Sequence, residues 1–344
     1  MRRGLMAWDA AELPIEVIQA RQVKLRSIMK SHRLDAFIAY TNISHPAAVS
    51  WISGFTPYWS EGVYCVMPEG TPAFATALSK RVAEWIGTVM PIGEVIPTPA
   101  PGTAIGKRLA ASGARRVGIV DLDDVPARQA RAILAEVEGL ELVDSTDAFN
   151  TIRCDVDNAE RALTARAAAI ALSAMQAADW KAVCMQALIA PCEVHARRAA
   201  AEDIFLSVAP NLAANGRFQR TDTATTLESA FALRMSLAYK GAWVRVIQSH
   251  TRDALLAAKF ASAQTAFNEL MPSGDLEAQT RKAFEAVGAK LTSWFIEQPR
   301  GSSPLVAVAG SSMSTSTYRA GAPATLNVEC DIDGWRWLAS RPFA

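Results

Sequence analysis

Histidine and cysteine, the side chains that most often ligate metals or act as nucleophiles, are few and scattered in this chain. The four histidines are His32, His45, His195 and His250, and none lies in a paired motif such as H-E-x-x-H. The five cysteines show no C-x-x-C spacing. A zinc site built from several histidines is therefore not expected. Any chemistry must come from arginines, carboxylates or an isolated histidine.

Composition and charge argue against several classes of protein. Hydrophobic residues make up 50% of the 344 residues and charged residues 20%, which is ordinary for a globular protein. The formal net charge of +1 gives no overall field that would favour nucleic acid or a membrane surface. No apolar run approaches the roughly 20 residues of a membrane span. Asp9, Glu12 and Pro14 interrupt any secretory signal, and the odd cysteine count is typical of reduced thiols, so we expect a cytoplasmic protein.

The first 150 residues alternate between the period of a strand and that of a helix. Hydrophobic spacing and turn residues predict the following helices and strands: helices over 14–33, 79–89 and 125–138; strands over 34–40, 63–67, 73–77, 116–121 and 140–143. Strands that alternate with helices in this way are typical of an α/β domain. We assign residues 1–152 to it.

The second half of the chain mixes long helices with strands in a less regular order. A polar segment over 152–157 is predicted to link the two domains. The predicted elements are helices over 157–185, 193–208, 252–270 and 276–289, and strands over 230–237, 243–248, 305–309 and 324–330. This order favours an α+β domain over residues 153–344.

Several short motifs, taken in order, resemble one family. The pattern R-x-x-x-L-R-x-x-M-x-x-x-x-L-D-A runs from Arg21 to Ala36, and W-I-S-G-F follows at 51–55. The hinge over 152–168 and the Cys192-Glu193-Val194 element continue the likeness. Together they resemble creatinase, prolidase and aminopeptidase P. The resemblance implies an α/β N-terminal domain, an α+β "pita-bread" C-terminal domain and a homodimer.

The same resemblance allows a test of the family's metal site, which holds two metal ions with two aspartates, one histidine and two glutamates. The family motif D-x6-G-Y-x-x-D-x-T-R aligns without a gap and puts Arg234 and Arg245 at the two aspartate positions. A guanidinium keeps its proton and repels a dication. We therefore expect no metal and no other cofactor, and no metallopeptidase activity.

The remaining ligand positions are also altered in this comparison. The segment 298–304, where the ligand histidine is expected, contains no histidine. The motif G-M-v-l-x-i-E resembles the segment 321–329, so that Glu329 could keep one glutamate. In the last motif Arg336 matches the family arginine, and Leu338 replaces the second glutamate. At most one of the five ligands is kept.

The arginines suggest a second use for this cleft. Arg217 aligns with a further family histidine, and together with Arg234 and Arg245 it could bind a carboxylate or phosphate, because guanidinium groups match planar oxyanions. Trp243 and Arg336 are the other candidate substrate-binding residues. The alternative is that the arginines only pair with internal acids such as Glu228, Glu329 or Asp331, and that the tryptophan is core packing.

Three residues are candidates for catalysis. Glu329 could move a proton, with a structural salt bridge as the alternative. Cys330, the next residue, could act as a nucleophile. Adjacent strand residues point to opposite faces, so that only one of Glu329 and Cys330 can face the cleft. By the resemblance, the first domain approaches the partner subunit's cleft, so that His45 could serve a site across the dimer. A surface position for this loop histidine is the alternative.

Two functions follow from these residues. The first is a metal-independent, creatinase-like hydrolase that acts on a small anionic molecule, by C–N bond hydrolysis or a related lyase or cyclase step. The second is a non-catalytic member of the family, either a binding protein or a partner subunit. Both exclude nucleic acid and membranes as partners.

Overall fold

The computed structural model describes residues 9–56, 60–90, 93–220, 225–270, 275–313, 318–319 and 321–343. The chain divides into two compact units. The N-terminal unit comprises Arg2–Ala162 together with Pro299–Pro304, and the C-terminal unit comprises Leu163–Gln298 and Leu305–Ala344. Among the described residues, no helix is long and apolar enough to cross a membrane.

The N-terminal unit is built on a six-stranded sheet with the order β4-β3-β2-β1-β5-β6. Its strands are β1 Ala36–Thr41, β2 Gly62–Val66, β3 Ala73–Thr76, β4 Glu94–Pro97, β5 Arg116–Val120 and β6 Glu141–Asp144. Its helices are α1 Ile15–Ser31, α2 Ala47–Ser53, α3 Lys80–Val89, α4 Pro101–Ser112, α5 Ala127–Glu136 and α6 Thr146–Arg153. The central strands β1 and β5 are parallel, whereas β1 and β2 are antiparallel.

Both faces of this sheet are covered, which explains its hydrophobic strands. Every residue of β1 is buried. Phe37 and Ala39 belong to one hydrophobic cluster, and Ile38 and Tyr40 belong to another on the opposite face. A strand buried on both faces has no reason to alternate with polar residues. This is why continuous apolar runs identified these strands in the sequence.

The C-terminal unit is an α+β unit with an eight-stranded sheet of order β12-β11-β13-β14-β10-β9-β7-β8. Its strands are β7 Asp203–Ala209, β8 Gln219–Arg220, β9 Ala230–Tyr239, β10 Ala242–Thr251, β11 Lys290–Arg300, β12 Ser303–Gly310, β13 Ala324–Ile332 and β14 Trp335–Phe343. The segment Pro299–Pro304, where β11 ends and β12 begins, belongs to the N-terminal unit. Its helices are α7 Asn158–Gln176, α8 Met185–Arg198, α9 Ala254–Glu269 and α10 Leu276–Glu285. Asp253 and Asp275 cap α9 and α10 by accepting backbone N–H groups of the first turns.

The helices of this unit pack on one face of the sheet. Apolar residues of β9 and β10, such as Phe231, Met235 and Val246, form one cluster with α7 and α8. Leu326 and Val328 of β13 belong to a second cluster with α9 and α10. Because side chains alternate along a strand, the residues between these positions point to the other face.

Two hairpins determine which residues occupy that other face. Lys240 and Gly241 connect β9 to β10 with φ values of 46° and 78°, and Asp333 and Gly334 connect β13 to β14 with φ values of 53° and 83°. Two-residue loops with both φ values positive are type I′ turns, which fix the register of the strands. A slip of one residue would turn every side chain of the strand to the opposite face.

Some predicted elements of the C-terminal unit differ from the structure. The helix predicted over 193–208 is wrong, because α8 ends at Arg198 and β7 begins at Asp203. Strands β11 and β14 were not predicted, since Pro299 and Pro342 near their ends and their many polar residues weaken the strand pattern. The linker predicted over 152–157 begins inside α6, which ends at Arg153.

Candidate functional site

A row of mainly polar residues crosses one face of the C-terminal sheet. This face is opposite to the one on which α7 and α8 pack against β9 and β10. Following the pairing from strand to strand, its polar members are Asn327, Ser340, Arg234 and Ser207. The apolar Ile247, which belongs to the cluster with α9 and α10, lies between Ser340 and Arg234. Directly paired residues lie on the same face of a sheet, about 5 Å apart. We call this surface the polar face. It also carries Ser236 and Arg245, which pair with each other and lie two residues along their strands from Arg234 and Ile247.

Arg234 lies in the middle of the polar face and is held there by two contacts. Its Nε donates to Ser207 Oγ at 2.9 Å, and the ring of Phe218 lies 4.4 Å from its guanidinium carbon. Burial lowers the pKa of Arg234, the nearby charge of Arg245 lowers it further, and Glu297 acts in the opposite direction. Among the described residues, no carboxylate forms an ion pair with Arg234. Its positive charge is therefore only partly balanced.

Arg245, in contrast, has a carboxylate partner. Its Nη1 donates to Glu297 Oε1, and its Nε donates to Ser236 Oγ at 3.0 Å. The second carboxylate oxygen of Glu297 accepts from Asn327 Nδ2 at 3.0 Å. The side chains of the pair are 19% and 5% exposed, respectively, so this is a largely buried ion pair. Glu297 is held as an acceptor by two donors at once.

The Arg245–Glu297 pair also reveals the shape of the sheet. Arg245 is on β10 and Glu297 on β11, and β13 and β14 lie between these strands. Three strand spacings amount to roughly 14 Å in a flat sheet, and side chains stand roughly perpendicular to it. The direct bond therefore requires the sheet to curve toward the polar face, which makes this face concave.

Two buried polar atoms lie at the far end of the polar row. Asn327 is 1% exposed and Ser340 is 4% exposed. Within the described part of the chain, Asn327 Oδ1 and Ser340 Oγ have no hydrogen-bond partner. Buried polar atoms are nearly always paired, so such positions typically indicate a water molecule or a ligand group.

Glu329, the predicted catalytic residue, lies two residues after Asn327 on β13, and its hydrogen-bond partner is not one of the arginines Arg234 and Arg245. Glu329 Oε1 accepts from Arg336 Nη1, and these side chains are 28% and 43% exposed. No hydrogen bond or ion pair among the described residues joins Glu329 to Arg234 or Arg245. The two predicted site residues Glu329 and Arg336 thus form a pair of their own.

The remaining predicted residues are distributed as follows. Arg217 is exposed, and its backbone N–H donates to Asn215 Oδ1; its neighbour Phe218 is the residue that contacts Arg234. Trp243 lies on the polar face and stacks on Phe205, with ring centroids 5.7 Å apart. His45 belongs to the N-terminal unit, where its backbone N–H donates to Asn42 Oδ1 at 2.9 Å.

The side chains of the polar face do not fit a dinuclear metal site. The Arg234, Arg245 and Glu297 side chains together carry one net positive charge, and the Glu329 carboxylate is already paired with Arg336, whereas two dications need several anionic oxygen ligands. In the part of the chain that the structure describes, no group of three or more histidine, cysteine, aspartate or glutamate side chains could hold a metal ion. What this arrangement can do is bind an anion.

Sequence reasoning missed Glu297, Asn327 and Ser340. The signal that could have found the last two is the dipeptide Asp333-Gly334, which favours a type I′ hairpin turn. Counting outward from that turn pairs Asn327 with Ser340. Glu297 carries no comparable signal, because its contact with Arg245 depends on the curvature of the sheet.

Comparisons with known proteins agree with this architecture. The sequence profile of the Creatinase/Prolidase N-terminal domain matches residues 21–154. No curated protein sequence shows significant similarity to the chain. Among solved structures, the prolidase from Pyrococcus horikoshii OT3 is 14% identical with a TM-score of 0.71, and the match covers 94% of both chains. The X-Pro aminopeptidase from Thermotoga maritima MSB8 is 14% identical with a TM-score of 0.69, and covers 93% of both chains.

A third relative gives the same result. The Xaa-Pro dipeptidase from Bacillus anthracis is 14% identical with a TM-score of 0.67, and the match covers 94% of this chain and 93% of that one. At this identity the likeness concerns the fold. The predicted fold class, an α/β N-terminal domain followed by an α+β pita-bread domain, is confirmed. The chain therefore carries a Creatinase/Prolidase N-terminal domain and has, as a whole, the fold of the creatinase, aminopeptidase P and prolidase family.

Proposed function

We propose that this protein binds a small carboxylate on the polar face without the help of a metal ion, and that the Arg234 guanidinium makes the primary contact. The observation that supports this is the state of Arg234: Ser207 and Phe218 hold it in place, and it has no carboxylate partner among the described residues. A half-buried guanidinium of this kind gains most from an anion that offers two oxygens to its fork.

The neighbours of Arg234 support the same function. Arg245 adds positive charge to the face, although Glu297 balances it in part. Asn327 Oδ1 and Ser340 Oγ add two buried polar atoms to the same face, and neither has a hydrogen-bond partner among the described residues. Counted without a gap from Gly321, the seven-residue motif G-M-v-l-x-i-E ends at Asn327, two residues before the Glu329 to which the sequence comparison assigned the family's glutamate. This alignment supports an origin of the anion site at the place of the former metal ligands.

The experiment measures thermal unfolding and calorimetric binding with small carboxylates at matched ionic strength, with and without EDTA. We expect the ligand to raise the melting temperature in both conditions, because it binds the folded state only. Arg234→Gln should abolish the effect, while Arg281→Gln, which removes an exposed arginine on α10, should retain it. Loss of binding in EDTA, or full binding by Arg234→Gln, would show the proposal to be wrong.

A second candidate function is hydrolysis of a C–N bond in a small anionic substrate. Glu297 favours it, because this buried carboxylate contacts Arg245 on the same face and could act as a general base toward water. Its two bound donors argue for a static role instead. Turnover of amide- or amidine-bearing carboxylates by the purified chain, lost in Glu297→Gln, would favour catalysis. Loss in Glu329→Gln instead would favour the proton carrier predicted from the sequence.

The non-catalytic alternative, a binding protein or partner subunit, needs no group that moves protons. It is supported by the engagement of both Glu297 oxygens and of Glu329 in separate contacts. A homodimer and a cytoplasmic location remain part of this proposal by resemblance. Sedimentation of the purified chain tests the dimer, and a dimer that requires His45 would support a role for that residue across the interface.

A further inference from the structure

An exposed aromatic ring lies beside the arginines of the polar face. Phe205 on β7 is 48% exposed, although one side of its ring stacks on Trp243 at an interplanar angle of 17°. Its neighbours Ile204 and Leu206 point to the opposite face and pack against the cluster formed with α7 and α8. Phe205 therefore adds nothing to that core. A single exposed hydrophobic residue is ordinary, so its surroundings decide what it means.

The register of the strands sets the distance from Phe205 to the two arginines. Phe205 pairs directly with Ser236, whose hydroxyl accepts from Arg245 Nε. Arg234 is two residues from Ser236 on the same strand, so Phe205 and Arg234 are diagonal neighbours. Diagonal neighbours on one face lie 7–8 Å apart, within reach of aromatic and long side chains. An apolar ring thus adjoins the Arg234 guanidinium, which forms no ion pair with a carboxylate in the described part of the chain.

The combination of the Phe205 ring and the Arg234 guanidinium favours some anions over others. A bare anion such as acetate would use Arg234 and leave the Phe205 ring in water. A carboxylate attached to a flat apolar ring would use both, because the ring can stack on the open side of Phe205 while the carboxylate meets the guanidinium. Stacked aromatic pairs gain affinity beyond the area they bury.

We infer that the ligand of the polar face is an aromatic carboxylate, with its ring on Phe205 and its carboxylate on Arg234. The inference rests on the proposed function and narrows it to a chemical class. It concerns binding only, and no bond in the ligand is made or broken. A second copy of this chain, seated on Phe205, is the competing occupant.

The test compares three probes by calorimetry: acetate, phenylacetate and 2-phenylethanol. Acetate has the charge without the ring, and 2-phenylethanol has the ring without the charge. We expect phenylacetate to bind at least ~10-fold more tightly than either, the size expected when stacking and ring burial are added to the ion contact. Phe205→Ser should reduce the advantage of phenylacetate over acetate to within ~2-fold.

Leu255→Ser is the matched control, since Leu255 is an 83% exposed hydrophobic residue on α9 and should leave both affinities unchanged. If acetate binds through Arg234 but phenylacetate binds no better, the inference about the ring is overturned and the proposed function stands. If none of the carboxylates binds, the proposed function itself fails. A Phe205→Ser protein that loses an oligomeric state seen by sedimentation, with no preference for phenylacetate, would identify the face as a contact between copies.

Discussion

Arg245 and Glu297 are bonded to each other across two intervening strands, and this bond joins the β9–β10 half of the C-terminal sheet to the β11–β13 half. The pair is largely buried, and Asn327 completes the hydrogen bonding of the carboxylate. A buried ion pair of this kind is costly to break at one side only, because the remaining charge stays out of water.

The first prediction concerns this pair. Glu297→Ala should lower the free energy of unfolding by about 3 kcal/mol, because it leaves the Arg245 charge buried without a partner. The double substitution of Arg245 and Glu297 by methionine should recover most of that loss. Urea denaturation measures both. Glu277→Ala, which removes an exposed ion pair with Arg281, is the control and should cost no more than about 0.5 kcal/mol.

The second prediction is that Arg234 does not stabilise the ligand-free fold. Arg234→Met should leave the free energy of unfolding unchanged or raise it by up to about 1 kcal/mol, since it removes a half-buried charge that lies near Arg245. Arg153→Met should behave in the opposite way and cost about 3 kcal/mol, because Arg153 is 9% exposed and pairs with Glu160. Thermal unfolding without ligand compares them. A loss of more than about 2 kcal/mol in Arg234→Met would assign Arg234 a structural role instead.

The sequence predicts that Arg234 and Arg245 lie close together, and the pairing of β9 with β10 agrees, whereas their roles stay predictions. Arg234 and Arg245 were found from the sequence because they lie on one hairpin, with a motif spacing that can be counted along the chain. The alternation of strands and helices in the N-terminal unit could also be predicted from the sequence, because its central strands are continuous apolar runs. These features depend on residues that are near one another in sequence.

The rest of the site depends on contacts between distant segments. Glu297 is 52 residues from Arg245 in the chain, and only the curvature of the sheet brings them together. Asn327 and Ser340 were also missed. Their pairing follows from the Asp333-Gly334 turn, whereas the motif comparison considered only Glu329. Strand β14 was missed because tryptophans, arginines and a proline obscure its alternation.

The third prediction concerns the turn between β11 and β12, which belongs to the N-terminal unit. Gly301 has φ +53°, and a Cβ added there would overlap the Asp121 carboxylate. That carboxylate accepts the Ser302 N–H at 2.5 Å, so it cannot move without losing this bond. Gly301→Ala should therefore cost about 3 kcal/mol, measured by urea denaturation. Gly70→Ala has a similar φ of +81° with open space around it, and should cost only about 1 kcal/mol.

The fourth prediction is a pH dependence of stability that originates at Asp157. Burial alone would raise the pKa of Asp157, but hydrogen bonds and charge from Arg21 outweigh it and lower the pKa below its ordinary value. A lowered pKa in the folded state stabilises the protein above pH ~4, and this stabilisation is lost as the pH falls further. Asp157→Asn should therefore be less stable than the unsubstituted chain by about 1–2 kcal/mol at pH 7.

The difference between the two proteins should shrink as the pH falls below ~4, because both then carry a neutral side chain at this position. Unfolding in urea at a series of pH values measures it. Asp155→Asn is the control, because Asp155 is 82% exposed and pairs with Lys24 at the surface. It should change stability little at any pH. An equal loss for Asp157→Asn at pH 7 and at pH 3 would attribute the effect to lost packing instead of charge.

The two type I′ turns have a consequence for how the polar face is assembled during folding. Arg234, Arg245 and Ser236 all come from the hairpin over 230–251, and Asn327 and Ser340 come from the hairpin over 324–343. Hairpins form within microseconds from contacts that are local in sequence. Each half of the polar face can therefore form independently. The Arg245–Glu297 bond is a long-range contact, and the entropic cost of closing its loop arises only when the two halves come together. We expect a transition state with formed hairpins and an open sheet, in which substitutions at Glu297 change the unfolding rate more than the folding rate.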